Sequence, residues 1–90
     1  MITMWWALAG EHVDAWTGPG VHEGAALLEA RVGAVVEGSG MPAGAARHWR
    51  ETFLAPVAEG LRTEAEPALA HGGSWSRAAG PLLVCVSPAP

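Results

Sequence analysis

Four amino acids are missing from this sequence of 90 residues: Lys, Asn, Gln and Tyr do not occur. The codons of Lys, Asn and Tyr are AT-rich, so the simplest explanation is coding in a GC-rich genome, with which the abundance of Ala, Gly and Pro agrees. We therefore interpret the composition as a mutational signature that says little about chemistry.

Cysteine occurs once, at position 85, so the chain has no internal disulfide and no Cys/His spacing of a zinc site. A reducing compartment, the cytoplasm, is the expected location. No Gly-x-Ser-x-Gly nucleophile elbow is present, and no His has the Glu-x-x-His or His-Glu-x-x-His spacing that places ligands on one helix face. The sequence predicts no catalytic, cofactor-binding or metal-binding residue.

Basic residues are also scarce, because five Arg stand against nine Asp or Glu and give a net charge of -4. The chain lacks the basic surface that binds phosphates, which argues against a nucleic-acid partner. The apolar segment at residues 1–10 stops at Glu11, far short of the roughly 20 residues that span a bilayer. An interfacial helix is disfavoured as well, since Glu11 and Asp14 replace the usual basic residues. A membrane partner is therefore not expected.

Ninety residues fit one small domain over residues 1–90. A chain of this length buries only about 60–65% of its unfolded surface, so the core is thin. An oligomer or another protein would be able to complete it.

The first segment, residues 3–16, has the spacing of an amphipathic helix, with one apolar face comprising Trp5, Ala9, His12, Val13 and Trp16. Residues 17–20, Thr-Gly-Pro-Gly, end it. A strand over residues 2–6 is the alternative, because Ile and Trp favour strands.

Residues 21–37 are predicted to form a second helix, whose apolar stripe comprises Val21, Ala25, Leu28, Val32 and Val35. The same spacing fits a coiled-coil seam, but two heptads are short, so a packed helical hairpin is favoured over an intermolecular zipper.

Residues 43–71 are predicted to form a third, longer helix. Pro56 and Pro67 interrupt its hydrogen bonding, so we expect a kink or a break near Ala55. The prolines lie eleven residues apart, about three turns, and would bend the helix in the same direction.

The last segment, residues 81–90, is predicted to be an extended apolar, Pro-containing tail. Residues 82–86 have strand propensity, but a strand there needs a partner. That partner would be residues 2–6, another chain, or a sheet outside this sequence. The predicted fold is therefore all-α: an irregular three-helix hairpin, or helical bundle, with a long kinked third helix and an extended tail that includes a potential short strand.

Tryptophan is the residue type in excess, with five in the chain. Trp5 and Trp6 are adjacent and cannot both face a small helical core, so we expect one of them, with Trp6 preferred, to anchor a partner. The predicted partner-binding residues are Trp5, Trp6, Leu8, Val32 and Val35.

The tripeptide Trp16-Thr17-Gly18 is similar to the Trp-x-Gly turn of small helical-hairpin proteins of the type VII secretion class. In this chain, however, the tripeptide precedes the long helices and no secretion-type Tyr is present, so we do not assign the chain to that class.

The function predicted from the sequence is a non-catalytic protein–protein interaction or self-association module. One alternative is a small helical enzyme or ligand-binding domain that uses His12 or His48 with a nearby carboxylate, Glu11 or Glu51. A further alternative is a truncated or spurious reading frame, against which the clear periodicity of residues 21–37 argues.

Overall fold

A computed structural model describes residues 1–90 and shows an α+β fold. Its elements in chain order are β1 (Ile2–Leu8), β2 (His12–Gly18), α1 (Val21–Gly38), α2 (residues 43–70), β3 (Trp75–Ala79) and β4 (Leu82–Pro88). The prediction of an all-α three-helix hairpin or helical bundle is therefore wrong. Two helices cover one face of a four-stranded antiparallel sheet.

The strand order in the sheet is β2-β1-β4-β3, so the first and last strands of the chain are its central pair. They run antiparallel over seven residues, with Ile2 opposite Pro88 and Leu8 opposite Leu82. Each central strand forms a hairpin with the strand next to it in sequence. The sheet is therefore two hairpins joined through β1 and β4.

Strand β1 corrects the predicted helix over residues 3–16 and confirms the alternative, a strand over residues 2–6. Its buried residues alternate along the strand, and they are Ile2, Met4, Trp6 and Leu8. Burial with a period of two is the signature of a strand that has one covered face. The chain reverses through the three residues 9–11. Ala9 and Gly10 have positive φ angles (53° and 72°), and the Glu11 N–H donates to the Leu8 carbonyl, which closes a tight turn.

Strand β4 corrects the prediction of an extended tail. Leu82, Val84 and Val86 are buried, and the strand pairs with β1, the first of the three partners considered for it. A sharp turn at Gly80 and Pro81 supplies its second neighbour, β3. Gly80 has a φ of 55°, and Pro81 fits the negative φ of the next position.

Helix α1 confirms the prediction for residues 21–37, which it exceeds by one residue. Its buried face comprises Val21, Gly24, Ala25, Leu28, Val32, Gly33 and Val36. This face packs on the sheet and on α2 within the same chain. The apolar stripe of α1 therefore packs within the chain, as we expected when we favoured intramolecular packing over an intermolecular zipper. Its buried residues are not available to a second helix from another chain.

The prediction was a kink or a break near Ala55. Helix α2 runs through both prolines without a break, and its hydrogen bonding changes to a π-helical turn just before Ala55. A π-helical turn precedes each proline: Arg50–Leu54 lies before Pro56, and Leu61–Ala65 lies before Pro67. A π turn widens the ring of the helix and relieves the clash between the proline ring and the carbonyl four residues earlier. Neither helix has both the length and the apolar character needed to cross a membrane.

The sheet and α1 approach each other closely at Trp16. Its ring lies over Gly18 and fills the position that a Cβ at residue 18 would take, only 2.0 Å away. The ring also lies 3.1 Å from the Cβ position of Gly24 in α1. The Trp16-Thr17-Gly18 tripeptide is therefore part of a strand in which the glycine makes room for the tryptophan, and it is not a turn between helices.

We expect Gly18→Ala to destabilise the fold by about 1–3 kcal/mol, because the new methyl group displaces the Trp16 ring. In a Trp16→Ala background the same substitution should cost far less, since the obstructing ring is gone. Chemical denaturation of the four proteins of this double-mutant cycle measures the coupling. Equal costs in both backgrounds would contradict the contact.

We expect Ala9→Gly to stabilise the fold by about 1 kcal/mol, because Ala9 holds a left-handed conformation that glycine adopts without steric cost. The Ala9 N–H donates a hydrogen bond of 2.8 Å to the Pro81 carbonyl. This bond joins two backbone groups, so the substitution leaves it in place. Thermal unfolding followed by circular dichroism tests this, and a lower melting temperature would refute the turn conformation.

Candidate functional site

The side of the sheet away from the helices is an open surface, which we call the outer face. Strand alternation and the pairing register assign its residues: Thr3, Trp5, Ala7, Val13, Ala15, Thr17, Ser76, Ala78, Leu83, Cys85 and Ser87. None of them belongs to the hydrophobic core, and neither helix packs against them. Each is at least partly exposed.

The outer face carries no charged residue, although the chain has five Arg and nine Asp or Glu. Most charges lie on α1 and α2, and Glu11 lies in the turn between β1 and β2. Asp14 and Arg77 are in strands but share the register of buried residues, so they point toward the helix side. An open antiparallel sheet usually alternates apolar residues inside with polar residues outside, whereas here apolar residues predominate on the outside as well.

Four arginines form ion pairs between elements on the helix side of the molecule. Those of α2 pair with α1, as Arg62–Glu29 and Arg50–Glu37, while Arg31 reaches Asp14 of β2 and Arg77 reaches Glu64. All these pairs are substantially exposed, so each contributes little to stability. They show that the charges are engaged away from the outer face.

In the middle row of the outer face, one large side chain stands among small ones. The middle row across the sheet reads Ala15, Trp5, Cys85 and Ser76. Trp5 is 40% exposed, and the neighbouring row includes Val13, which is 66% exposed. Besides Met1, these are the large apolar residues that the molecule exposes. The side chain of Trp5 therefore projects from the face, and the small side chains next to it in the row leave a shallow depression.

The outer face becomes more polar toward one end. Thr3 lies opposite Thr17 on β2 and Ser87 on β4, and the hydroxyl oxygens of the two threonines are 3.3 Å apart. The other end is apolar, with Ala7 between Val13 and Leu83. An apolar centre with a hydroxyl-bearing rim resembles the anatomy of protein interfaces.

The exposed edge of the sheet at β2 is less suited to binding than the outer face. Asp14 Oδ1 accepts a hydrogen bond of 2.8 Å from the Ala15 N–H, and its other oxygen accepts one from Arg31. A charged side chain on an edge strand that occupies a backbone donor hinders the addition of another strand. Binding by strand pairing at the β2 edge is therefore disfavoured.

The structure separates the five residues predicted to bind a partner. Trp6, Leu8 and Val32 lie in the core, with Trp6 only 3% exposed, and Val35 is half-buried beside it. Trp5 is on the outer face. The expectation that adjacent tryptophans face different environments holds, but Trp5 is the exposed one because neighbours in a strand point in opposite directions.

The structure does not bring His12 and His48 together. His12 and Glu11 line an open cleft of about 190 Å³ between the β1–β2 turn, the C-terminal end of α1 and the start of α2. His48 is exposed on α2, with its Nε2 3.4 Å from the Thr52 hydroxyl, and it does not line that cleft. Glu51 lines a different depression, next to Arg50.

The largest cavity, about 340 Å³, lies where α1 begins and α2 ends. It contains His22 and Glu66, whose side chains are about two-thirds exposed. His22 Nε2 lies 3.8 Å from Glu66 Oε2. No group of three His, Cys, Asp or Glu side chains is arranged to hold a metal ion. This geometry places one imidazole near the Glu66 carboxylate, and Glu23 also lines the cavity, but it offers no nucleophile.

Cys85 lies at the centre of the outer face, directly opposite Trp5. Partial burial raises the pKa of its thiol, because desolvation disfavours the charged thiolate. No basic side chain on the outer face stabilises the thiolate. Cys85 therefore acts as a small apolar side chain of the surface rather than as a nucleophile.

No protein-family model matches the chain, and comparisons with curated proteins and with solved structures likewise give no match.

We expect Cys85 to react with a disulfide reagent more slowly than free cysteine at pH 8, with a pH profile displaced to higher pH. The raised thiol pKa lowers the thiolate fraction at any given pH below it, and the thiolate is the reactive form. Stopped-flow labelling at low protein concentration measures the profile. A midpoint below that of free cysteine would show a stabilised thiolate and contradict this environment.

Proposed function

We propose that this protein is a non-catalytic protein-interaction module whose contact surface is the outer face of the sheet. The observation that carries the proposal is the absence of every charge from an open four-stranded face that exposes Trp5 and Val13. Interface centres are depleted in charged residues and enriched in aromatic ones. Trp5 is the natural anchor, since a large aromatic side chain near the centre of a patch is typical of binding hot spots.

The proposal accounts for residues that folding does not require. The core is complete without the outer face, because the even-numbered residues of β1 and β4 pack under the helices. Polar side chains at positions 5, 13 and 83 would keep the same backbone pairing and would meet water favourably. Apolar residues there gain free energy only when another surface covers them.

The chemistry of the outer face restricts the partner to an uncharged, largely apolar protein surface. A nucleic acid would find no cation on it, and a strongly charged protein would find no complementary group. The proposed compartment is the cytoplasm, a proposal supported by the single unpaired thiol of Cys85.

A photo-crosslinking amino acid, p-benzoylphenylalanine, at position 13 tests the proposal in cells that express the protein. Val13 is the most exposed large apolar residue of the outer face, so irradiation should give one discrete adduct, identified by mass spectrometry. The matched control carries the same amino acid at Ala45, an exposed position on α2. No adduct at position 13, or the same adducts from both positions, would refute the proposal.

A further inference from the structure

We infer that the surface that covers the outer face is the outer face of a second copy of this chain, packed sheet to sheet about a two-fold axis. This inference rests on the proposed function and specifies its partner. Two properties of the residues support it, the distribution of charge and the shape of the face, while the area of the face sets the strength of the pairing.

The distribution of charge favours a second copy. Each chain has a net charge of -4, so two copies repel each other unless their charges are kept apart. Pairing through the outer faces places both charged helix layers on the outside, at opposite ends of the assembly, and brings no two charges together. The outer face itself has the one property required of its partner, an uncharged apolar surface.

The shape of the outer face is complementary to the outer face of a second copy. A two-fold axis that runs along the strands between β1 and β4 places β1 of each copy over β4 of the other. Trp5 and Cys85 are opposite each other in the register, so Trp5 of one copy then lies over Cys85 of the second. The row Ala15, Trp5, Cys85 and Ser76 meets the same row in reverse order. Trp5 of each copy therefore packs into the shallow depression over Cys85 of the other copy.

The area of the face sets the strength of the pairing. Four strands spaced about 4.8 Å apart and about 23 Å long give roughly 440 Å² of plane on each copy. Stable dimers usually bury about 800 Å² on each partner, so this interface lies at the weak end of the range. We expect a dimer in reversible exchange with the monomer, with a dissociation constant of about 10–100 μM.

Sedimentation equilibrium over a concentration series up to about 1 mM tests the inference on three full-length proteins. The wild type should pass from monomer to dimer. Ala15→Glu, which buries a carboxylate in the interface, should weaken the dimer by at least about tenfold. Ala45→Glu introduces the same charge on the exposed surface of α2 and should dimerise like the wild type. Circular dichroism of each sample establishes that the variants are folded.

A second readout reports on the register of the two faces. Thiol labelling of Cys85 should slow several-fold as the wild-type concentration rises, because Trp5 of the second copy covers it. In Trp5→Ala this concentration dependence should disappear. A labelling rate independent of concentration in a wild type that dimerises would overturn the proposed axis.

The outcomes separate this inference from the proposed function. A wild type that stays monomeric, or an Ala15→Glu variant that dimerises as well as Ala45→Glu does, overturns pairing through the outer face. If the chain is monomeric while the crosslinker at position 13 captures a different, identified protein, the second copy is refuted and the interaction module stands. Absence of both the dimer and the adduct refutes both.

Discussion

The antiparallel pairing of β1 with β4 is the interaction on which the rest of the structure depends. It joins the two hairpins into one sheet and gives the helices a surface to cover. Its register also decides which residues face the core, because side chains alternate strictly along a strand. A slip of β4 by one residue against β1 would turn Val84 to the solvent and bring Cys85 inside. Core and outer face are thus two consequences of one register.

The two layers of the molecule differ in the kinds of side chain that they expose. The helix layer and the helix side of the edge strands carry the charges, many of which pair between elements. The outer face carries tryptophan, small apolar residues and hydroxyls. A thin core in a short chain gains from a further apolar contact, and the face is the surface on which such a contact adds no charge repulsion.

The sequence predicted α1 and most of α2, because an apolar period near 3.6 persists over many residues there. The strands were missed for a physical reason: over the short segments at residues 3–16, Trp5, Ala9 and Trp16 fit a helical face as well as a strand. For β4 the local signal was the strand propensity of residues 82–86, but this continuous apolar run does not indicate which partner it pairs with. Trp5 was among the predicted contacts, but the outer face as a whole was not predictable, since residue 5 meets residue 85 only through a long-range register.

The most direct test of this account is nuclear Overhauser spectroscopy of the labelled chain. The account predicts cross-strand contacts between β1 and β4 in the register that places Trp5 opposite Cys85, together with strand-type contacts through residues 12–18. Contacts between residues three and four apart throughout 3–16, with none linking this segment to residues 82–88, would show a helix there. That result would contradict the central pairing and, with it, the outer face.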